Sequence, residues 1–349
     1  MRRGLMNSEF VPVAEIMRGG AVESVHHGAA AVVDKDGTII AQVGSPNLVT
    51  FSRSSLKPFQ VLPTVLRGVP DRFGLKDRHL ALMCASHSGE ERHLHAAREI
   101  LQAIGAREED LRCGVHVPLH YLYEDTAVPA KSYFSPLHNN CSGKHLGMLA
   151  LARIIGCPFE EYLELDSPVQ RLVRERTAIM LGMKPDAMQV AIDGCSAPNY
   201  AVPLRALARG FARLATAAGL RPATDDECHD ACTRVVSAMR AFPEMVSGEG
   251  RFDLDLARAT NGRIFSKAGG EAVECAGVPE RSLGIAVKII DGSARAVGPF
   301  IVWILRELGL LSPTELTALE MYVNPVLKNH RGLEIGAIRM TGQLVRPGG

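Results

Sequence analysis

The stretch VESVHHGAAAVVDKDGTIIAQV, residues 22–43, decides the fold prediction because it has the pattern of a β-hairpin. Two runs of β-branched and small apolar residues, 22–34 and 38–43, flank the turn Lys35-Asp36-Gly37. An Asp-Gly pair between apolar runs is among the strongest short-range hairpin signals. The sequence therefore predicts two antiparallel strands near its N-terminus.

A similar pattern recurs near the C-terminus. It predicts a strand at 283–290 (LGIAVKII), a turn at 291–293, a returning strand at 294–297 and then a helix at 298–311. A short strand is also predicted at 189–192. Between the two hairpins, apolar residues have helical spacing in the segments 92–104, 147–155, 168–181, 203–217 and 226–240.

Strands at both ends with helices between them predict an α/β fold. The N- and C-terminal segments would build one sheet layer, with a helical subdomain inserted between them. The boundaries that we expect are 11–335 for a single domain, about 20–65 and 265–335 for the sheet layer, 66–264 for the mainly helical middle, and 1–10 and 336–349 for the tails.

The charge balance argues against several classes of partner. The 349 residues carry 39 Lys and Arg against 38 Asp and Glu, so there is no broad basic field for nucleic acid. The longest apolar runs, such as 147–152 and 299–305, are far shorter than the ~20 residues that cross a bilayer. The N-terminus soon becomes polar, unlike a secretion signal. We therefore expect a cytoplasmic protein with no membrane or nucleic-acid partner.

The first candidate for chemistry is Ser54-Ser55-Leu56-Lys57. Residues three apart lie on one face of a helix, so the Ser54 hydroxyl and the Lys57 amine can meet. A lysine activates a serine only when its surroundings lower its pKa from ~10.4. A solvated helix start is the alternative, because Ser-x-x-Lys is common on helix surfaces.

Two further segments combine small and polar residues. Residues 84–90 (CASHSGE) resemble a tight turn that presents side chains to a cleft, and the alternative is a helix cap made by Ser86 or Ser88. Residues 266–271 (SKAGGE) set a lysine beside paired glycines, which allow the backbone to approach a site closely. A charged turn is the alternative there.

Two of the eight cysteines lie in parallel loop contexts. Residues 139–145 (NNCSGKH) place a thiol and an amine three residues apart, and 193–199 (DGCSAPN) place a carboxylate beside a second thiol. The first segment lacks the upstream glycine and the Ser or Thr of a phosphate-binding loop. The cysteines are too sparse for a disulfide scaffold, although their even number leaves bridges open. A packed thiol is the alternative for each.

From about residue 11 to residue 329, the chain resembles the rhizobial-type (class three, thermolabile) L-asparaginases. The motifs that carry the resemblance are, in order, 52–58 (SRSSLKP), 85–90, 139–147, 193–199 and 267–269. The Thr-Gly-Gly-Thr motif of the better-known bacterial asparaginases is absent, so their threonine mechanism does not apply. The fold of the resembled family is similar to that of serine β-lactamases and glutaminases, which agrees with a split sheet and a helical insert. The single domain at 11–335 would then be catalytic.

The resemblance implies two Ser–Lys pairs that face one pocket. Ser54 would be the nucleophile with Lys57 as its activating partner, and Ser86 and Lys267 would form the second pair. Two lysines in one pocket disfavour each other's charged form, so one of them can be neutral near pH 7.

The resemblance also implies a zinc ion. Its protein ligands would be Cys141, Lys144 and Cys195, with water completing the site and Asp193 close by. Thiolates suit zinc, and a lysine ligand must first lose its proton. Three protein ligands and a water have the form of a catalytic zinc site, although orientation of the substrate is the role that we expect.

The implied activity is hydrolysis of the side-chain amide of L-asparagine to L-aspartate and ammonia through an acyl-enzyme. Arg53 and His145 are candidates for holding the α-carboxylate, and Asp193 is a further candidate for substrate binding. The resemblance also favours a homodimer.

Two other classes of function stay open at this point. Another Ser–Lys acyl hydrolase, such as a glutaminase or a β-lactam hydrolase, would use the same pairs. A non-enzymatic, zinc-braced binding protein would use its Ser and Lys residues as ordinary loop polars and would release no ammonia from any amide.

Overall fold

The structure is a computed structural model that describes residues 9–123, 127–130, 133–219 and 227–347. Its strands are β1 (Val11–Arg18), β2 (Ala21–Val33), β3 (Ile39–Val43), β4 (Val49–Phe51), β5 (Gln189–Ile192), β6 (Pro198–Pro203), β7 (Phe265–Gly269), β8 (Val273–Val278), β9 (Leu283–Ile289), β10 (Val326–Lys328) and β11 (Glu334–Met340). Its helices are α1 (Lys57–Gln60), α2 (Leu62–Leu66), α3 (Val69–Arg72), α4 (Asp77–Met83), α5 (Glu91–Ile104), α6 (His120–Tyr123), α7 (Ser142–Ile155), α8 (Pro168–Leu181), α9 (Leu204–Gly219), α10 (Glu227–Ala241), α11 (Pro243–Val246), α12 (Phe252–Ala259), α13 (Val297–Glu307), α14 (Pro313–Ala318) and α15 (Glu320–Val323).

Strands from the two ends of the chain lie side by side in one antiparallel sheet. Its order is β10-β11-β1-β2-β9-β8-β7, and β3 pairs with the second half of β2. A small sheet, β4-β6-β5, and most of the helices belong to the chain between β3 and β7. This topology confirms the predicted α/β fold, with a sheet built from both ends and helices inserted. The first hairpin and the short strand at 189–192 are confirmed as β2–β3 and β5.

The middle of the sheet is covered on both faces. In the run 29–33 of β2 (AAAVV), the odd-numbered residues pack in the core shared with α4, α7 and α9, and the even-numbered residues in the core shared with α13. A strand that is buried on both faces needs an apolar residue at every position, and not an alternating pattern. This explains the continuous apolar run that the sequence shows there.

The predicted returning strand at 294–297 is wrong. Residues Ala294–Ala296 form a 3-10 turn, and Val297 begins α13, which corresponds to the predicted helix at 298–311. Strand β9 pairs with β2 on one edge and with β8 on the other. It therefore has no free edge on which a hairpin partner could lie.

The C-terminal segment also departs from the prediction. Strand β11 pairs with β1, and Val345 bridges Gln42, so residues 336–340 and Val345 belong to the sheet and not to a tail. The predicted helices of the middle correspond to α5, α7, α8, α9 and α10. Residue 226 of the last one lies outside the described residues, as do residues 1–8 and 348–349 of the predicted tails. In the part of the chain that the structure describes, no helix combines the length and the apolar character that crossing a membrane requires.

Candidate active site

Ser54 and Lys57 lie where the chain enters its helical part after β4. Ser54 belongs to a short 3-10 helix, Arg53–Leu56, that runs directly into α1. The Ser52 hydroxyl anchors this segment by donating to the carbonyl oxygen of Tyr200 on β6 at 2.7 Å. Lys57 is 0% exposed, which excludes a solvated helix start.

The Lys57 ammonium finds its partners on two other segments. Its Nζ donates to the carbonyl oxygen of Ala85 at 2.5 Å, to Ser86 Oγ at 3.0 Å and to the carbonyl oxygen of Asn140 at 3.3 Å. The Lys57 backbone N–H donates to the Ser54 carbonyl oxygen, but among the described residues no hydrogen bond joins Lys57 Nζ to the Ser54 hydroxyl, so the contacts differ from the direct side-chain pairing that the sequence suggested. A buried ammonium needs an acceptor for each N–H, and these three acceptors satisfy that need.

The Ser86 hydroxyl lies between two buried lysines. Lys267 Nζ, from β7, donates to Ser86 Oγ at 2.9 Å and to the carbonyl oxygen of Ala268 at 2.7 Å. The position of Ser86 is set by its own N–H, which donates to the carbonyl oxygen of Val246 at 3.0 Å. Ser86 Oγ is therefore the atom on which Lys57 and Lys267 converge.

Burial makes the charged forms of both lysines unfavourable. It lowers the pKa of Lys57 below its ordinary value and lowers the pKa of Lys267 to about 8. Each ammonium also repels the other, which favours a neutral amine on one of them. A neutral amine accepts the Ser86 proton, while the other ammonium donates to Ser86 Oγ. The arrangement can therefore move a proton onto or off this hydroxyl.

The helix-cap alternative for residues 84–90 does not match the structure in its details. Helix α5 begins at Glu91, and its N-cap is Glu90, whose N–H donates to His93 Nδ1 at 3.1 Å. Neither Ser86 nor Ser88 occupies the capping position.

Two thiols, an amine and a carboxylate meet beside this serine. The ligand atoms of Cys141, Asp193 and Cys195 all lie within 4.8 Å of one another. Lys144, in the first turn of α7, donates from Nζ to Cys195 Sγ at 3.0 Å. The tight turn between β5 and β6 brings Asp193 and Cys195 together, because the Asp193 N–H donates to the carbonyl oxygen of Ala197 at 2.9 Å. These residues could hold a metal ion with a preference for sulfur.

The two thiols of this cluster differ in their pKa values. A hydrogen bond from Cys141 and the charge of Lys144 outweigh burial and lower the pKa of Cys195 to about 5. The same hydrogen bond, with burial, raises the pKa of Cys141 to about 12. Burial alone would lower the pKa of Lys144, but the thiolate of Cys195 outweighs it and raises that pKa. Cys195 is therefore a thiolate that is paired with an ammonium.

Arg53 and Asp193 form an ion pair at the edge of the site. Arg53 Nε donates to Asp193 Oδ1 at 2.6 Å, and the Arg53 N–H donates to Asn199 Oδ1 at 3.0 Å. Burial would raise the pKa of Asp193, but the charges of Lys144 and Arg53 outweigh it and lower that pKa. A fixed pair of opposite charges suits the ammonium and carboxylate of an amino acid.

One cavity of about 410 Å³ joins these groups. Lys57, Lys144 and Lys267 lie beneath its wall and reach it through Ser86 and Cys195. The residues that line the cavity are Arg53, Ser54, Ser86, His116, Leu119, Asn139, Asn140, Cys141, Asp193, Gly194, Cys195, Arg251, Ala268, Gly269 and Gly270.

His145 is a predicted site residue that neither lines the cavity nor hydrogen-bonds to a residue of its wall. It is 0% exposed, and its Nδ1 is 2.6 Å from the Tyr162 hydroxyl. Burial lowers its pKa to about 3, so the imidazole is neutral at ordinary pH. A neutral, enclosed ring is not a cation that could pair with a carboxylate in the cavity.

Arg251 and His116 line the cavity, although no sequence motif marks them. Arg251 donates from a guanidinium N–H to the carbonyl oxygen of Ser86. His116 Nε2 accepts from the Asn140 N–H at 2.9 Å. Both residues lie in irregular segments, where periodicity gives no signal.

Comparison with known proteins identifies the family of the chain. A family model described as L-asparaginase II matches residues 14–340. The comparison with curated proteins returned no match. Among solved structures, a β-lactamase from Mycobacterium bovis is 16% identical with a TM-score of 0.41, covering 80% of this chain and 94% of its own. Mglu, in its tris and glutamate form, is 17% identical with a TM-score of 0.35, covering 86% and 64%. Neither likeness is close enough to bear on the activity of this chain.

Proposed function

Since the chain belongs to the L-asparaginase II family, we propose that it hydrolyses the side-chain amide of L-asparagine to L-aspartate and ammonia. Family membership implies a hydrolase that acts on amides. The observation that carries the finer proposal is the position of Ser86 Oγ, 3.0 Å from Lys57 Nζ and 2.9 Å from Lys267 Nζ. Ser86 shares one cavity with Ser54 and with the Arg53–Asp193 ion pair.

Ser54 is the nucleophile in this proposal, and Ser86 is the proton carrier. Ser54 lines the cavity, whereas Ser86 Oγ already contacts two amines. The Ser54 oxygen attacks the amide carbon, and its proton passes to the neutral amine of Lys57, which closes on Ser54 once substrate is bound. The C–N bond then breaks, and Ser86 hands a lysine proton to the departing nitrogen, which leaves as ammonia. Water cleaves the Ser54 ester and releases L-aspartate.

The Arg53–Asp193 pair binds the amino-acid end of the substrate. Only Nε of Arg53 is engaged with Asp193, which leaves the other guanidinium N–H groups for the α-carboxylate. The Asp193 carboxylate receives the α-ammonium. Recognition of both charges places the side-chain amide at a fixed distance from the pair, toward Ser54.

We also propose a zinc ion held by Cys141, Lys144 and Cys195, with Asp193 beside it. The donor set fits, because two thiols and an amine converge on one point and Cys195 already carries negative charge. Lys144 would release its proton on binding. When bound, zinc supplies a Lewis acid that polarises or orients an oxygen ligand. Elemental analysis should find about one zinc per chain, and the Cys141→Ser and Cys195→Ser variants should each lose it.

Serine variants test the assignment of the nucleophile. Ser54→Ala and Ser86→Ala should each lower kcat for asparagine by more than about 1,000-fold. Ser55→Ala is the matched control, because the Ser55 hydroxyl donates to the carbonyl oxygen of Ser52 at 2.7 Å and is buried away from the cavity. A diazoketone analogue of asparagine should label the peptide that contains Ser54. Label on Ser86 would reverse the two roles, and full activity of Ser54→Ala would refute the mechanism.

A substrate panel tests the activity itself. Ammonia release from asparagine should exceed release from glutamine, since one methylene is worth about 10–200-fold in discrimination. A chromogenic β-lactam should not be turned over at a comparable rate. The homodimer and the cytoplasmic location stay predictions from the sequence, and sedimentation analysis of the purified chain tests the first.

A further inference from the structure

Two buried carboxyl groups lie behind the β7–β8 ribbon. Glu274 on β8 is paired with Ala268 on β7, and Cys275 is paired with Lys267. Side chains alternate between the two faces of a strand, so Glu274 lies on the face away from Lys267. Asp253, from the first turn of α12, joins Glu274 there.

Donors on the strand that carries Lys267 hold Asp253 in place. Asp253 Oδ1 accepts from the Ser266 hydroxyl at 2.7 Å, and Oδ2 accepts from the Ala268 N–H at 3.3 Å. Asp253 is therefore hydrogen-bonded to the residues on both sides of Lys267. These are the partners of an ionised carboxylate.

Glu274 has the surroundings of a neutral acid. It is 2% exposed, and within the described part of the chain its Oε1 has no hydrogen-bond partner. An ionised carboxylate with an unpartnered oxygen in such a site is costly, and a second anion beside it increases the cost. Burial, followed by the charge of Asp253, raises the pKa of Glu274 well above its ordinary value.

The pKa of Lys267 depends on burial and on the charges of the residues around it. Burial has the largest effect on its pKa, the carboxylate of Asp253 opposes it, and neighbouring cations reinforce it. The charged and titratable groups around Lys267 are Lys57, Arg251, Asp253, Glu274 and the buried thiols of Cys84 and Cys275.

We propose that Asp253 and Glu274 share one proton and present a single negative charge to Lys267 through the β7–β8 ribbon, as positioning residues for the Ser86–Lys267 pair. With two negative charges, Lys267 would hold its proton too tightly to pass it to Ser86. With none, it would lack a counter-charge and would have no proton to give. One charge lets the amine give its proton to Ser86 and take it back near neutral pH. The effect on catalysis rests on the proposed function, whereas the shared proton does not.

Carbon-13 NMR of protein labelled at the Asp and Glu carboxyl carbons measures the shared proton without any substrate. The Glu274 signal is identified by its loss in Glu274→Gln, and the Asp253 signal by its loss in Asp253→Asn. We expect the Glu274 carboxyl to keep its proton at pH values well above the ordinary glutamate pKa of ~4.3. Loss of the Glu274 proton at the ordinary glutamate pKa, which would leave two negative charges at neutral pH, would overturn the proposal.

The dependence of kcat/KM on pH tests the effect on Lys267. Asp253→Asn should move the basic limb of the profile to lower pH by about one unit, because Lys267 must hold a proton to supply Ser86 and a nearby opposite charge favours the charged form of a lysine. Glu274→Gln keeps a neutral donor of the same shape and should move the limb by less than about 0.3 unit.

Asp255→Asn is the matched control. Asp255 lies on the same helix, but it accepts from the Tyr322 hydroxyl at 2.6 Å. An equal displacement of the limb by Asp253→Asn and Asp255→Asn would overturn the proposal, since a merely structural role affects both. If the wild-type chain hydrolyses no asparagine, the proposed function fails, and the NMR measurement still decides the charge of the pair.

Discussion

Alanine at Gly143 would place a methyl group where α7 touches the end of α4. A Cβ there would lie 2.0 Å from the carbonyl oxygen of Leu82 and 2.7 Å from its carbon, against a normal separation of ~3.5 Å. The start of α7 must therefore retreat by about 1 Å or more. Overpacking of this kind costs about 1–3 kcal/mol, and the ~1 kcal/mol that alanine adds to a helix offsets part of it. We expect a net loss of up to about 2 kcal/mol in the free energy of unfolding.

The same retreat should reduce activity, because Gly143 lies between Cys141 and Lys144. The contact of Lys144 Nζ with Cys195 Sγ, 3.0 Å long, opens when α7 moves. A displacement of about 1 Å in a catalytic site can lower kcat/KM by ~100-fold, and zinc binding should weaken together with it.

Gly147→Ala is the control, one helical turn later. The nearest atoms to a Cβ at Gly147 would be those of the Met83 side chain, with its Cγ and Sδ at 3.3 Å, and methionine adapts to such contacts. This variant should be as stable as the wild type or up to about 1 kcal/mol more stable, with full activity. Urea denaturation, kcat/KM for asparagine and zinc content should be measured on both variants. Equal stability and activity of the two would refute the reasoning.

Three other perturbations follow from the charges of the site. Lys267→Met should abolish activity yet stabilise the protein at pH 7. Burial lowers the pKa of this lysine to about 8, so keeping it charged in the folded chain costs up to ~3 kcal/mol. The variant avoids that cost but loses about 1 kcal/mol for each hydrogen bond that the lysine made. Urea melts should show the gain fading as the pH rises from about 8 to about 10.5, and a gain that is independent of pH would contradict this origin. Arg53→Met should raise KM for asparagine by about tenfold or more with a smaller effect on kcat, because the α-carboxylate of the substrate loses its guanidinium partner. An unchanged KM would exclude Arg53 from binding. Burial lowers the pKa of His93 to about 4, so the unfolded chain binds a proton before the folded chain does as the pH falls below about 6.5. The free energy of unfolding should therefore drop by up to about 3 kcal/mol toward pH 4. In melts at acid pH, the wild type should lose more stability than His93→Gln does.

Local patterns were sufficient for the elements but not for the pairing of the sheet. The Asp-Gly turn at 36–37 correctly predicted the first hairpin, because both of its strands are neighbours in the chain. The similar turn at 291–292 led to the wrong prediction of a returning strand, since both edges of β9 are paired, with β2 and β8. No local signal reports that a distant segment occupies an edge. The pairing of β1 with β11 joins segments more than 300 residues apart and is beyond local patterns for the same reason.

The sequence predicted the residues of the candidate site better than it predicted their contacts. Ser54, Ser86 and Cys195 lie in short segments dense in small polar residues, and such segments can be recognised singly. The partner of Lys57 depends on where the carbonyl groups of Ala85 and Asn140 lie in space, which only the folded chain determines.

Three buried lysines around one cavity show how the fold assigns different chemistry to one residue type. Burial lowers the pKa of Lys57 and of Lys267, whose hydrogen-bond partners include the Ser86 hydroxyl and backbone carbonyl oxygens. Lys144 is equally enclosed, but the adjoining Cys195 thiolate raises its pKa. The first two lysines are thus suited to exchanging protons with a serine, and the third stays a cation until something replaces its proton. A metal ion of sufficient affinity for sulfur would do so, because it would take over the charge that now holds the proton on Lys144.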